Sequence, residues 1–158
     1  MTAMPKTKLK IYFDSTVPNY IFNDEYPEKQ KAAKALFAFS NKKEILTFVS
    51  SVTLEEIKAA NEPKRSEMLK VLRDSILLQE SSEAEELAKT YIKKQIFSKS
   101  NREDARHTAY AVYYGVNILA SYNFSHIVRL STINKLRAEN LILGYQTPEI
   151  RSPEEIDL

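Results

Sequence analysis

Asp14, Glu56, Asp104 and Asn123 are the residues of this 158-residue chain whose types and settings could do chemistry. Asp14 ends the apolar run Leu9–Phe13, where a buried strand would hand its last side chain to a polar edge. Glu56 and Asp104 each fall inside an apolar helical arc. With ~100° per residue, Thr108, Ala111, Val112 and Gly115 lie within ~80° of Asp104, while Arg106, Tyr110 and Tyr113 take the opposite face. The same wheel places Glu56 between Val52 and Ala60 and leaves Glu55 at the margin, towards Lys58. A carboxylate on a packing face is costly unless it is paired or metal-bound. The plain alternatives are a helix cap for Asp104 and a snorkelling or ion-paired glutamate for Glu56. Clustered carboxylates in a chain without cysteine suit a hard cation, Mg²⁺ or Mn²⁺.

The elements that must position these groups alternate. Leu9–Phe13 and Ile45–Val49 read as buried strands. A short helix is expected near Tyr20–Phe22, and a longer one, opened by Pro27, runs over Glu28–Ser40. Lys42-Lys43 turns the chain. Val52–Ala60 is predicted helical, as is the stretch from Pro63 to about Ser75, with Ile76–Leu78 a minor strand. Glu83–Ile96 is a helix with acids first and lysines last, as the macrodipole favours. The central unit then follows. It consists of a helix from Asn101, Gly115 as its stop, a strand Asn117–Ala120 and the polar loop Ser121–Phe124. His126–Val128 is expected as a brief strand, Ser131–Glu139 as a helix, Leu141–Tyr145 as a last strand and 148–158 as an irregular tail. This alternation predicts an α/β fold with a central parallel sheet, the whole chain forming a single domain. Ligands of such folds bind beyond the carboxyl ends of the strands, where Asp14 and Asn123 fall.

Composition narrows the classes. Only two glycines occur, so neither a P-loop nor a GxGxxG dinucleotide fingerprint can be present. The absence of cysteine removes thiolate metal sites, cysteine nucleophiles and disulfides, and is consistent with a reducing, cytoplasmic setting. A formal charge of +2 means that any nucleic-acid contact must come from a local patch. No apolar run approaches the length of a membrane span, and Ile11–Phe13 is too short for a signal-peptide core.

In the order and spacing of IYFDST, SSVTLEEI, EDARHTAYA and SYNFSHI, the chain resembles the PIN-domain nucleases over essentially its full length. The resemblance extends to toxins of the VapC type. It implies a three-layer α/β/α fold, with the family's first three acids on Asp14, Glu56 and Asp104. Where many relatives carry a fourth acid, this chain has Asn123, so the site would hold three formal negatives. The resemblance further implies a Mg²⁺- or Mn²⁺-dependent ribonuclease with Asp14, Glu56 and Asp104 as metal ligands. Asn123 and Ser15 would be supporting or substrate-contacting groups. RNA would be the substrate, and a small antitoxin protein would be the partner.

Lys89, Lys93, Lys94, Lys99, Arg102 and Arg106 form a basic cluster, of which Lys99 and Arg102 fall nearest the site as candidate phosphate contacts. Tyr110, Tyr113 and Tyr114 could stack bases or form a homodimer face. His107 and His126 are assigned no catalytic role. Two other readings stand beside the nuclease: a PIN-like regulatory module with a weakened site, and an aspartate-nucleophile phosphohydrolase. The latter expects an acid two residues after Asp14, where Thr16 stands.

Overall fold

The computed structural model describes residues 8–40 and 45–157. The turn expected at Lys42-Lys43 lies outside them. Five parallel strands form one sheet in the order β3-β2-β1-β4-β5. They are β1 (Leu9–Phe13), β2 (Ile45–Val49), β3 (Ile76–Leu77), β4 (Ile118–Ala120) and β5 (Glu149–Arg151). The chain runs outward from β1 through β2 to β3, then returns to β1's other side for β4 and β5. The strand order therefore reverses between β1 and β4, and the crevice beyond their carboxyl ends is the default ligand site of such a sheet.

Among the described residues, seven helices cover the two faces: α1 (Thr16–Tyr20), α2 (Pro27–Ser40), α3 (Ser51–Lys58), α4 (Lys64–Val71), α5 (Ser82–Lys93), α6 (Arg102–Tyr113) and α7 (Leu130–Leu143). The period-two alternation of β1 decides which core each residue joins. Ile11 and Phe13 pack with Val17, Leu36, Ile57 and Met68, under α1 to α4. Tyr12 faces the other way, into the core of Leu87, Tyr91, Ala109, Tyr110 and Leu136, from α5 to α7. Helices on both faces of a parallel sheet make three layers, as expected. α3 belongs to both sides, with Val52 in one core and Ile57 in the other.

Several boundaries differ from the sequence reading. Leu141–Tyr145 is not a strand: α7 continues through Leu143 and ends at Gly144, whose φ of 84° is the left-handed geometry of a helix stop. The last strand is Glu149–Arg151, so the expected irregular tail contains a sheet edge and a short 3₁₀ turn at Pro153–Glu155. Only Ile150 of that strand is buried, so no apolar run marked it. His126–Val128 is turn rather than strand, closed by bonds from the Ile127 and Val128 amides to the Asn123 carbonyl. Tyr110 is fully buried, because α5 covers the flank of α6 that the wheel assigned to the far side.

Candidate functional site

Asp14 follows β1 directly and is 2% exposed. A carboxylate so placed needs donors, and the turn supplies them. The Thr16 hydroxyl and amide both donate to Oδ1, and the Ser121 hydroxyl donates to Oδ2 at 2.6 Å. Burial nonetheless raises the Asp14 pKa, more than its hydroxyl donors and the nearby His107 lower it. Ser121 also accepts from the Asn123 amide at 2.9 Å, which ties the end of β1 to the loop after β4.

Asp104 lies in the first turn of α6. It is not the helix cap that its position allows. Its Oδ1 accepts from the Asn123 side-chain amide at 3.0 Å, and its Oδ2 lies 3.2 Å from His126 Nδ1. Asn123 is oriented in turn, because its Oδ1 accepts from the His126 backbone amide at 3.0 Å. An aspartate at 123 could not donate, so the amide is suited to holding Asp104 rather than repelling it. Burial raises the Asp104 pKa and the Glu56 charge adds to this, against the lowering effects of His107, His126 and Asn123.

Glu56 projects from α3 onto His107 Nε2, with which it forms a hydrogen bond. Burial opposes its ionisation, but His107, Ser15 and the more distant Arg106 outweigh burial and lower its pKa. His107 is 1% exposed, and its other ring nitrogen meets the Tyr12 hydroxyl at 2.6 Å. Tyr12 in turn bonds Ser50, the residue that opens α3, at 2.7 Å. Burial works against a charged imidazole, yet Glu56, Asp14 and Asp104 together push the His107 pKa up. All three carboxylates therefore act on one imidazole, at the carboxyl ends of β1 and β4.

The sequence assigned no role to His107. Its signal was present: His107 stands one turn after Asp104, ~60° away on the same helical face. Tyr12, its anchor, is 95 residues distant, and no local pattern links them. Of the expected substrate contacts, Ser15 reaches Glu56. Lys99 and Arg102 do not join the acids: Lys99 lines a separate pocket with Ile92 and Phe97, and Arg102 acts on Glu85. Arg106 leaves the expected basic cluster altogether, because Glu55, Glu85 and Glu103 surround it.

In kind, the donors fit a hard divalent cation: three carboxylates share one region, and burial penalises the charge on each of them. In arrangement, no three His, Asp or Glu side chains among the described residues converge as a ligand set. Glu56 is turned to His107, Asp104 to Asn123 and His126, and Asp14 to its hydroxyl donors.

A parallel sheet whose order reverses at β1/β4, with helices layered on both faces, makes a three-layer α/β/α fold that is PIN-like. The solved structure that carries this comparison is that of VapBC2 from Rickettsia felis bound to a DNA fragment from their promoter. One of its chains superposes with a TM-score of 0.57 at 14% identity, over 78% of this chain and 95% of that one. At that identity the likeness is one of fold. No family model and no curated protein matches the sequence.

Proposed function

We propose that this protein is a metal-dependent endoribonuclease, built as one PIN-like domain and acting as the toxin of a prokaryotic toxin–antitoxin pair. The observation that carries the reading is the placement of Asp14 after β1, bonded to Ser121 of the loop after β4, of Asp104 on α6, bonded to Asn123 of the same loop, and of Glu56 on His107 of the same helix, at the point where the strand order reverses. Asp14, Glu56 and Asp104 would hold a Mg²⁺ or Mn²⁺ ion, which would polarise the scissile phosphodiester and lower the cost of attack by water. The chain's own groups do the rest. Thr16 and Ser121 fix Asp14, Asn123 holds Asp104, and Ser15 with His107 fixes Glu56. Lys99 and Arg102, at the start of α6, would be outlying contacts for an RNA backbone.

The fold neighbour is a VapBC2 assembly, which supports a small antitoxin protein as partner for this chain. RNA as substrate implies action in the cytoplasm, and a homodimer through the Tyr113 and Tyr114 flank belongs to the same reading. The purified protein should cleave RNA with Mg²⁺ or Mn²⁺ and lose that activity in EDTA. Equal cleavage in chelator would rule the mechanism out.

Two observations favour a second reading, a regulatory module with a weakened site. Asn123 stands where relatives carry an acid, and His107 occupies Glu56. Metal-independent RNA binding with no cleavage in any divalent cation would select it.

A further inference from the structure

A second feature opens beside Asp104. Between the segment after α5, the turn before α6 and the start of α7 lies a pocket of ≈ 250 Å³, with Ser98, Asn101, His126, Arg129, Ser131 and Lys135 in its wall. No Asp or Glu lines it. The ion pairs among the described residues engage Arg65, Lys70, Lys89, Arg106 and Arg151, but neither Arg129 nor Lys135. Two cations without an ion pair among the described residues, with Ser98, Asn101, His126 and Ser131, thus line one concavity. Its volume is below the ~300–1,000 Å³ of sites that enclose a whole small ligand, and suits one tetrahedral anion. The pocket also adjoins the acids, because His126 lines it while its Nδ1 lies 3.2 Å from Asp104 Oδ2.

We propose that this pocket is a subsite for a backbone phosphate of the RNA strand, next to the phosphate presented to the acids. The inference rests on the ribonuclease reading and adds to it a cationic grip beside Asp104. The carboxylates repel a polyanion, so the strand must be held by a neighbouring point of opposite charge. Arg129 offers a bidentate fork to the phosphate oxygens, and Lys135 offers a point charge. Such contacts fix register on the backbone and carry no base preference.

The test separates binding from cleavage. Fluorescence anisotropy of a 3′-labelled oligoribonucleotide in EDTA reads affinity at several salt concentrations. Each of Arg129→Ala and Lys135→Ala should weaken binding about tenfold, the scale of one charge-assisted hydrogen bond. The slope of log affinity against log salt should shrink by about 0.7 per lost phosphate contact on a single strand. Arg129→Lys should lose less than the alanine variant but not match wild type, since an ammonium keeps the charge without the fork, and the loss should be the same for unrelated sequences. Both side chains are exposed, so melting temperatures should stay at the wild-type value.

Unchanged affinity and slope in the double alanine variant would overturn the proposal. So would loss confined to probes carrying a 5′-phosphate, which would make the pocket a terminal-monoester site. Tighter binding of duplex DNA through the same residues would overturn it as well. Wild-type protein that binds RNA through Arg129 and Lys135 yet never cleaves it would sink the nuclease reading and leave the subsite standing. Cleavage at an unaltered KM in the double variant would do the reverse.

Discussion

Arg106 and His107 are neighbours on α6; Arg106 is bonded to three carboxylates and His107 to one. Arg106 holds Glu85 through paired bonds of 2.9–3.2 Å, Glu103 at 2.9 Å and Glu55 at 3.1 Å. His107 bonds Glu56 and feels Asp14 and Asp104 through space. The adjacent glutamates of α3 are thus divided between the two centres. At Arg106 the balance is satisfied: a permanent cation with five donors meets acids that keep contact with water, and it lowers the Glu85 pKa against the burial that would raise it. At His107 it is not satisfied. One imidazole, charged only when protonated, acts on buried Asp14 and half-buried Asp104, whose pKa values burial still raises above their ordinary value. The first cluster is a clamp joining α3, α5 and α6. The second has charge left over, which is where a substrate or cation has something to gain.

The largest expected effect separates the two glutamates. Glu56→Gln should lower metal-dependent RNA cleavage by at least about 100-fold, the scale of removing one group that acts on developing charge. Glu55→Gln should leave cleavage nearly unchanged, because Arg106 keeps two other partners. Equal damage from both would erase the distinction between clamp and site.

The clamp is broken most directly at Arg106. Arg106→Ala should cost about 2–3 kcal/mol in denaturant unfolding. That lies below the ~3–5 kcal/mol of a fully buried broken pair, because Glu55 and Glu103 can rehydrate. Arg106→Lys should cost less but still register, since an ammonium cannot reproduce the fork on Glu85. A variant as stable as wild type would mean that these contacts contribute nothing net.

How much of this was legible in the sequence follows from the range of each interaction. Asp14 at a strand end, and Glu56 and Asp104 inside apolar arcs, were visible because strand and helix periods are local. The reversal of strand order between β1 and β4 followed from alternation only as a class of fold; the pairing itself is set by contacts over a hundred residues apart. The wheel saw Glu55 as solvent-facing but could not see Arg106, 51 residues on, reaching it. It separated Tyr110 from the packed face because it assumed that α6 has one partner, whereas the Tyr110 hydroxyl bonds Glu85 of α5. Leu141-Ile142-Leu143 read as strand because a short apolar run has no period to distinguish the two states. In the fold these side chains are exposed at the end of α7.

The smallest expected effect, and the finest test of leftover charge, is Asp104→Asn in metal-free protein. The folded-state pKa of Asp104 is raised, so its contribution to stability is fully present below the unfolded carboxylate value and is lost as pH rises through the folded one. Asp14 behaves in the same direction. Glu56 opposes them: its pKa is lowered, so its contribution is present above the unfolded value and is lost as pH falls. His107 is raised, so its contribution is complete below its unfolded value near ~6.5 and declines as pH climbs past the folded one. Above the carboxylate range, Asp104 is therefore a standing cost. Asp104→Asn keeps an oxygen for the Asn123 amide while removing the charge, and should stabilise the metal-free protein at neutral pH by about 1 kcal/mol. The gain should vanish at pH 3, where the wild-type carboxyl is protonated. Mg²⁺ should stabilise wild type by mass action and the variant much less. Melts of both proteins at pH 3 and pH 7, with EDTA and with Mg²⁺, read all four corners. If the variant melts lower than wild type at pH 7 in EDTA, Asp104 is a paired structural acid like Glu85, and both centres of α6 are clamps.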